Sequence, residues 1–469
     1  MIRLFNTLGR RKQDFAPIRA GHVGIYSCGP TVYDYAHIGN LSTFLFVDFL
    51  RRWLEFRGLK VTHVMNLTDV DDKTIRRSRQ EGVPLRELTD RYAEAFFTDL
   101  KKLGIQPAHV YPRATEHVPE MVALIKSLLE KGRAYEKGGS VYFRISSFPG
   151  YGRLALLDQR KMLLGASGVD ADEYEKEDAR DFVLWKGWKP DEDGDVFWDT
   201  EIGRGRPGWH IECSAMSMKY LGQTFDIHTG GVDLIFPHHE NEIAQSESAS
   251  GQKFVNFWLH REHLRFGGEK MSKSLGTIKS LGDIVATPSD AAAFRYLIFS
   301  SHYRMPLNFT NEALAAAKRT VKHLRDFRSM LLVAGNGGTG GPDSLVEDTR
   351  QRFIAEMDDD LGSPGALAAL FGLMETVGKL RLQNKLSVSL ATAVSAFLDE
   401  VDCVIGVINQ ADDGEEKLRL TPAQQELIRE RETARSQKDW NRADEIRDEL
   451  FRQGIKLEDT QAGTKFASV

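Results

Sequence analysis

Thiol, imidazole and carboxylate side chains gather in three short strings of this sequence. Cys28 is followed by the turn-forming pair Gly29-Pro30. Cys213 closes the run Trp209-His210-Ile211-Glu212-Cys213, and Pro237-His238-His239-Glu240-Asn241-Glu242 follows downstream. Pro237 suits the first turn of a helix, on which His238 and Glu242, four residues apart, share a face. Cys28, Cys213, His238 and Glu242 offer two thiolates, one imidazole and one carboxylate, a tetrahedral set that Zn²⁺ accepts. No CxxC pair is present, so the spacing leaves a second reading open: a surface His–Glu pair beside two isolated buried thiols. The three cysteines form no disulfide framework and fit a reducing compartment. The third, Cys403, reads as a buried core thiol.

Two further strings suit phosphate. His37-Ile38-Gly39-Asn40 falls between an expected strand and an expected helix. A helix N-terminus carries partial positive charge, and an imidazole beside it favours an anion. Gly39 permits close backbone approach. Lys270-Met271-Ser272-Lys273-Ser274 follows Gly267-Gly268 and precedes Leu275-Gly276. It reads as a glycine-flanked basic loop able to clamp a polyphosphate; the competing reading is a solvated turn.

A parallel sheet is the element that must position these groups. His22 to Cys28 reads as a strand, and Asn40 as a cap for a helix over Leu41 to Phe56, in which Phe46, Phe49, Leu50 and Trp53 recur at helical spacing. Gly58 ends that helix. Val61 to Leu67 is a second strand roughly 30 residues after the first, as in a βαβ unit. Cys28 then stands at the carboxyl end of a strand, where open α/β sheets bind ligands. Residues 114–206, with Gly and Pro turns and an acidic run from Asp170 to Asp181, read as an insertion, and strand signals return at Phe225 to Thr229 and Val255 to His260.

From about Asn311 the pattern is helical. Leu314, Val321, Leu324 and Leu331 share one face, and Lys318, Lys322, Arg325 and Arg328 another. The cationic face is able to track an RNA backbone, or is simply a solvated helix surface. Gly335 to Pro342 reads as a flexible loop, Gln410 to Lys417 as a polar linker, Thr421 to Gln453 as a charged helical pair, and Ile455 to Phe466 as a short hairpin.

The formal net charge of -5 and pI near 6.3 argue against a bulk electrostatic nucleic-acid binder and confine any RNA contact to local patches. No apolar run approaches the roughly 18 to 20 residues needed to span a bilayer; the longest, Phe44 to Leu50, contains Asp48. The basic N-terminal residues are not followed by an apolar signal segment, which points to the cytoplasm.

Taken together, His37 to Asn40 and Lys270 to Ser274 resemble the paired HIGH and KMSKS signatures of class I aminoacyl-tRNA synthetases. Tyr26-Ser27-Cys28-Gly29-Pro30-Thr31-Val32-Tyr33-Asp34 and Asn66-Leu67-Thr68-Asp69-Val70-Asp71-Asp72-Lys73 are similar to segments of the cysteinyl-tRNA synthetase family, as are Gly208 to Met216 and Gly230 to Glu247. The tail from Lys438-Asp439-Trp440 through Gly454, with Leu457-Glu458-Asp459 and Gly463-Thr464, resembles that family's anticodon-binding end. The resemblance spans essentially the whole chain. It departs at Asn40, where the signature has His, and at Thr277, where Asn is common.

The resemblance implies an α/β fold: a Rossmann-like parallel-sheet catalytic domain with an insertion, then a helical bundle and a small C-terminal anticodon-binding domain. The expected divisions are 1–113 and 207–262 for the two catalytic halves, 114–206 for the connective insertion, 263–312 for the KMSKS loop and stem-contact region, 313–410 for the bundle and 418–469 for the anticodon-binding domain. It implies ATP-dependent activation of L-cysteine and transfer to tRNA(Cys) by a monomer. Two alternatives are a cysteine ligase with an amino-sugar acceptor and a non-catalytic tRNA-binding paralogue. It implies one Zn²⁺ per chain on Cys28, Cys213, His238 and Glu242, selecting the substrate thiol so that the insertion needs no editing site. ATP, with Mg²⁺ on its phosphates, falls to Gly29, Thr31, His37, Gly39, Asn40 and Lys273, with His37, Asn40, Lys270 and Lys273 acting in catalysis. Thr68, Trp209 and Asp233 are expected at the amino acid, and Arg435, Trp440, Asp444 and Asp459 at the tRNA.

Overall fold

The structure is a computed structural model. It describes all residues except 158–179, 271–278, 333–343, 410–420, 438, 461–462 and 469, and only the backbone of 269–270, 422, 456, 458–460 and 463–468. Lys273, Thr277, most of the acidic run, the Gly335 to Pro342 loop and the polar linker lie outside the described residues. The chain divides into two compact units, Met1–Leu281 with Tyr303–Asn308, and Gly282–His302 with Phe309–Val469.

The first unit opens with an antiparallel pair, β1 (Arg3–Asn6) and β2 (Arg11–Asp14), before β3 (His22–Ser27) enters the main sheet. Helix α1 (Ile38–Phe56) follows, then β4 (Lys60–Met65), α2 (Asp72–Glu81), α3 (Leu85–Lys102) and α4 (Val118–Glu130). One face of α1 is apolar because Leu41, Leu45, Phe49 and Trp53 recur at helical spacing, and all are buried. Each such side chain contributes about 1.5–3 kcal/mol on burial. Asp48, inside the same apolar run, is buried but satisfied: it accepts from Arg52 Nε at 2.7 Å and from the Gln106 amide at 2.8 Å.

The insertion is an antiparallel sheet of β5 (Ala134–Lys137), β6 (Ser140–Phe143), β7 (Phe182–Gly187), β8 (Trp198–Thr200) and β9 (Gly203–Pro207), in the order β5-β6-β7-β9-β8. Its return leads into α5 (Trp209–Leu221), β10 (Phe225–Gly231), α6 (Glu240–Ser250) and β11 (Val255–Arg261). Two devices fasten it to the parallel-sheet fold. Asp72 at the start of α2 receives Lys186 Nζ at 2.6 Å and also Arg206, whose Nε meets Asp193 at 2.7 Å. The buried Glu240 carboxylate accepts from the amides of Gly152, Leu154 and Ala155 at 2.8, 3.0 and 2.9 Å.

The main sheet is fully parallel, in the order β11-β10-β3-β4. From β3 the chain crosses to β4 on one side, and β10 and β11 lie on the other. The order therefore switches between β3 and β10, and a ligand crevice is expected at their carboxyl ends. Cys28 follows β3 there, and Asp233 and His238 follow β10.

The second unit is helical, with α7 (Pro288–Phe299), α8 (Asn311–Leu332), α9 (Leu345–Asp358), α10 (Ser363–Leu382) and α11 (Val388–Ile405), then α12 (Pro422–Ser436), α13 (Trp440–Arg452) and a hairpin of Ile455–Thr460 with Gly463–Ser468. Two expectations fail here. Cys403 is exposed, because α11 turns Val401, Val404 and Ile405 into the core and leaves position 403 on the opposite side. The cationic face of α8 is not a free charge stripe: Arg325 is buried and donates to the Val407 carbonyl at 3.0 Å, while Lys318, Lys322 and Arg328 pair with Asp290, Asp326 and Asp399 at 2.7, 3.3 and 2.7 Å.

Candidate active site

The β3 and β4 chains run on beyond their strands as paired segments. Thr31 bridges Thr68, and the Gly29 amide donates to Asn66 Oδ1 at 2.9 Å. The approach is so close that a Cβ on Gly29 would stand 1.7 Å from the Asn66 carbonyl oxygen, so only glycine fits. Cys28 is thereby held at the sheet end. The insertion's return delivers Cys213 on α5, and the segment after β10 delivers His238 and Glu242.

These four residues meet. Their ligating atoms all lie within 4.8 Å of one another, and every one of them is buried. Cys28 Sγ is 3.7 Å from Cys213 Sγ and 3.9 Å from Glu242 Oε1, and His238 Nε2 is 3.1 Å from Glu242 Oε1. The regular helix α6 begins only at Glu240, after a distorted turn at Ile235–His239, yet the His238–Glu242 pairing expected from their spacing is kept. The His238–Glu242 contact is short but not aligned as a hydrogen bond, so Nε2 has no hydrogen-bond partner among the described residues. Two acceptor-type atoms this close without a hydrogen bond between them suit a shared cation. His238 Nδ1 meets His210 Nδ1 at 3.0 Å, which fixes the ring and leaves Nε2 facing inward.

Burial dominates the electrostatics. It pushes both thiols up, Cys28 well above its ordinary value, and Glu242 upward against the opposing effect of His228. It pushes His238 and His239 well down. Without a cation the cluster therefore holds its protons on sulfur and leaves its imidazoles neutral. A divalent ion reverses the preference of the thiols.

Sequence reasoning missed a second ring of groups. His228 Nε2 is 2.9 Å from Glu242 Oε2, and His239 Nε2 is 3.4 Å from Cys28 Sγ. Cys28, His228, His239 and Glu242 form an alternative ligand cluster sharing two members with the first. His239 Nδ1 continues to His260 Nε2 at 2.8 Å, and His260 Nδ1 to Thr7 Oγ1 at 2.7 Å. His239 was visible beside His238; His228 and His260 lie in buried parallel strands where nothing in the alternation marks them.

The amino-acid candidates differ in placement. Trp209 stacks on the His238 ring, centroids 4.1 Å apart at 27°, and stays partly exposed. Asp233 is exposed in the turn after β10, its carboxylate folded over Gly231, where a Cβ would lie 2.4 Å from Oδ1. Thr68 is buried, and its hydroxyl donates inward to Glu212 Oε2 at 2.9 Å.

The phosphate candidates form a capping box. Contrary to the expectation for Asn40, His37 is the N-cap of α1: its Nδ1 accepts from the Asn40 amide at 3.2 Å, and Asn40 Oδ1 accepts from the His37 amide at 3.3 Å. Since Nδ1 accepts, the ring proton sits on Nε2, and Asn40 likewise keeps its amide hydrogens for donation. Gly39 is in the first turn between them. His37 also bridges Ser280, and the Ile38 amide donates to the Lys279 carbonyl at 2.8 Å, so the first signature is zipped to the residues that follow the second. Lys270 is described in its backbone only.

In the tail, Trp440 is exposed, Arg435 half-buried, and Asp444 pairs with Arg447 at 2.9 Å. The Asp459 side chain lies outside what is described. Among the described residues no helix is long and apolar enough to cross a membrane.

Residues 14–319 match the family described as tRNA synthetases class I (C) catalytic domain, 352–409 the DALR domain and 419–465 the cysteinyl-tRNA ligase anticodon binding domain. The chain is 47% identical over 477 residues to a cysteine--tRNA ligase from Brachyspira hyodysenteriae, covering 99% of each, and 46% identical over 467 residues to one from Protochlamydia amoebophila, covering 99% of this chain and 97% of that one. In fold it is similar to Mycobacterium tuberculosis methionyl-tRNA synthetase bound by methionyl-adenylate, with a TM-score of 0.58 at 15% identity, covering 82% of this chain and 90% of that one.

Proposed function

The chain belongs to the cysteine--tRNA ligase family, which activates cysteine with ATP and joins it to tRNA, and on that footing we propose that Cys28, Cys213, His238 and Glu242 hold the Zn²⁺ by which it selects cysteine. The observation that carries this reading is the meeting of those four ligating atoms in a fully buried pocket. The donor set fits: two thiols, an imidazole with an orphaned nitrogen and a carboxylate match zinc's mixed preferences. When bound, the ion prefers soft sulfur and lowers the pKa of a coordinated thiol, a basis for separating cysteine from the nearly isosteric serine that an apolar pocket lacks.

The remaining roles belong to this chain's own side chains. Trp209, stacked on His238, covers the substrate side chain, and Asp233 accepts from the substrate ammonium. Thr68 is assigned to the substrate through its packing, since its hydroxyl is committed to Glu212. In activation the cysteine carboxylate attacks the α-phosphorus of ATP, the bond to the bridging oxygen breaks and pyrophosphate leaves, so negative charge grows on the transferred and leaving oxygens. His37 Nε2–H and the Asn40 amide donate there, preorganised by their mutual capping box. Lys270 and Lys273 supply positive charge, and Lys279, which follows them in the sequence, is held at the same helix end by the Ile38–Lys279 hydrogen bond. Gly29, Thr31 and Gly39 give the nucleotide close backbone approach, and Mg²⁺ accompanies its phosphates.

Arg435, Trp440, Asp444 and Asp459 contact the anticodon loop, with Trp440 stacking on an unpaired base. We assign 1–113 and 207–262 to the catalytic halves, 114–206 to a connective insertion without editing chemistry, 263–312 to the KMSKS and stem-contact region, 313–410 to the bundle and 418–469 to the anticodon-binding domain. A cytoplasmic monomer is the working form. A cysteine ligase with an amino-sugar acceptor leaves the match over 419–465 without a purpose, and a non-catalytic paralogue leaves the complete ligand set without one.

The test is metal analysis alongside cysteine-dependent pyrophosphate exchange. Wild-type protein is expected to retain zinc, and Cys213→Ser to lose both the metal and about 10³-fold in activation rate. Full activity in metal-stripped wild type, or in the Ser variant without zinc, refutes the metal's role while leaving the family assignment intact.

A further inference from the structure

Two cations beside the crevice have no answering charge. Helix α2 starts where the extension of β4 ends, and the segment leading from Thr31 to His37 begins alongside it: Thr31 bridges Thr68, and the Val32 amide donates to the Thr68 carbonyl at 3.1 Å. Lys73 and Arg76 stand three residues apart on α2, so they are neighbours on one face, and both are exposed. Neither has a carboxylate partner among the described residues; the Lys73 ammonium has the Tyr33 ring, with the centroid 5.8 Å away. The arginines around them are engaged. Arg77 and Arg91 pair with Glu81, and Arg79 donates to the Asp191 and Glu192 carbonyls.

An exposed ring lies close by. Tyr35 meets Tyr92 of α3 edge-on, with centroids 5.3 Å apart at 85°, and the Tyr92 hydroxyl accepts from Arg77 of α2 at 3.4 Å. Tyr35 is thus tied to α2 yet remains 61% exposed. It precedes His37 by two residues, so their Cα atoms are at most about 7 Å apart. The other exposed ring described at the crevice, Trp209, is already stacked on His238. An anchored, largely exposed ring beside unopposed cations is the combination that holds single-stranded nucleic acid, because bases stack on the ring and phosphates meet the cations. With a formal net charge of -5, the chain can hold RNA only where its cations are locally unopposed.

We propose that Tyr35, Lys73 and Arg76 form the dock for the single-stranded 3′ end of the tRNA. Tyr35 stacks on one of its bases, and the two cations meet the phosphates that lead to it. This rests on the tRNA-charging reading given above and adds to it the path by which the terminal ribose reaches the crevice beside His37.

The test compares tRNA charging with cysteine-dependent pyrophosphate exchange measured without tRNA. The proteins are full-length wild type, Tyr35→Ala, Tyr35→Phe and the double variant Lys73→Gln with Arg76→Gln. Tyr35→Ala is expected to lower kcat/KM for tRNA about tenfold, and Tyr35→Phe, which keeps a ring for stacking, to restore it. The double variant is expected to flatten the salt dependence of log kcat/KM by about 0.7 per cation removed. Exchange is expected to be unchanged in all of them. Binding of tRNA shortened at its single-stranded 3′ end identifies the part of the RNA concerned: wild type is expected to bind it more weakly than intact tRNA, and the double variant to bind the two RNAs alike. Unchanged charging by Tyr35→Ala, exchange that falls in step with charging, or a double variant that still prefers intact tRNA as strongly as wild type does, overturns the proposal. Wild-type protein that exchanges pyrophosphate but charges no tRNA brings down the charging reading instead.

Discussion

The carboxyl end of the parallel sheet and the cationic side of α8 both looked functional, and their polar groups are in opposite states. At the sheet end Cys28, Cys213, His238 and Glu242 are buried, mutually close and incompletely satisfied. On α8, Lys318, Lys322 and Arg328 each have an acidic partner, and Arg325 has a carbonyl. Burying polar groups without full hydrogen bonding is costly and persists only where something other than stability requires it. Exposed ion pairs cost little and signify little. The difference teaches that the informative feature is the unmet bonding capacity of a residue, not its charge.

This contrast is sharpened first at His37, whose side chain both caps α1 and is assigned to the phosphates. His37→Asn keeps a good N-cap, because Asn caps helices as well as any residue, and removes the Nε2–H donor. The expected result is a loss of about 10²-fold in the pyrophosphate-exchange rate with an unchanged melting temperature. His37→Ala adds the loss of the cap, about 1 kcal/mol of stability. An Asn variant with wild-type exchange rates would place the transition-state donor elsewhere.

A buried polar group whose bonds are met is expected to matter for stability alone. His63, beneath the same sheet end, shares a 2.7 Å hydrogen bond with Ser27 Oγ. Burial, reinforced by the nearby positive charges of Arg51 and His109, brings its pKa down to about 3. Its unfolded value is near 6.5, so the unfolded chain binds the extra proton between those limits. The stability contribution is therefore complete above pH 6.5 and lost as the pH falls toward 3. At pH 5 the loss is about 2 kcal/mol. His63→Gln lacks this titration. Denaturant unfolding at pH 7 and pH 5 is expected to show a smaller drop for the variant by that amount, while cysteine activation at pH 7 stays the same. An equal drop in both proteins shows that His63 is not a source of acid sensitivity.

Much of this was legible in the residues themselves. The strands His22–Ser27 and Lys60–Met65 and the helix between them follow from apolar runs and periodicity, and His238 with Glu242 from their spacing. The start of α1 was misplaced by three residues because an imidazole is not among the usual N-caps, so the His37–Asn40 capping box was read as a cap at Asn40. His228 and His260 escaped notice for a different reason. A parallel sheet buried on both faces shows no alternation, so nothing distinguishes the residues that face the site. Arg325 and Cys403 were misjudged because one face of a helix does not reveal how much of its circumference the neighbouring helices cover.

The smallest effect is expected on α8, and it is the most direct challenge to the comparison. Lys322 is exposed and its partner Asp326 lies one turn away on the same helix, a pair worth about 0.3–0.5 kcal/mol. If α8 tracked the tRNA backbone, removing Lys322 would raise the KM for tRNA and reduce the salt dependence of log KM by about one phosphate's share. With its charge already answered by Asp326, Lys322→Ala is instead expected to change the KM for tRNA less than about twofold, with the salt slope unaltered. Charging kinetics across a salt series distinguish the two. A reduced slope would show that a paired surface lysine can exchange its carboxylate for a phosphate when RNA arrives, and satisfaction in the free protein would then no longer separate structural charge from functional charge.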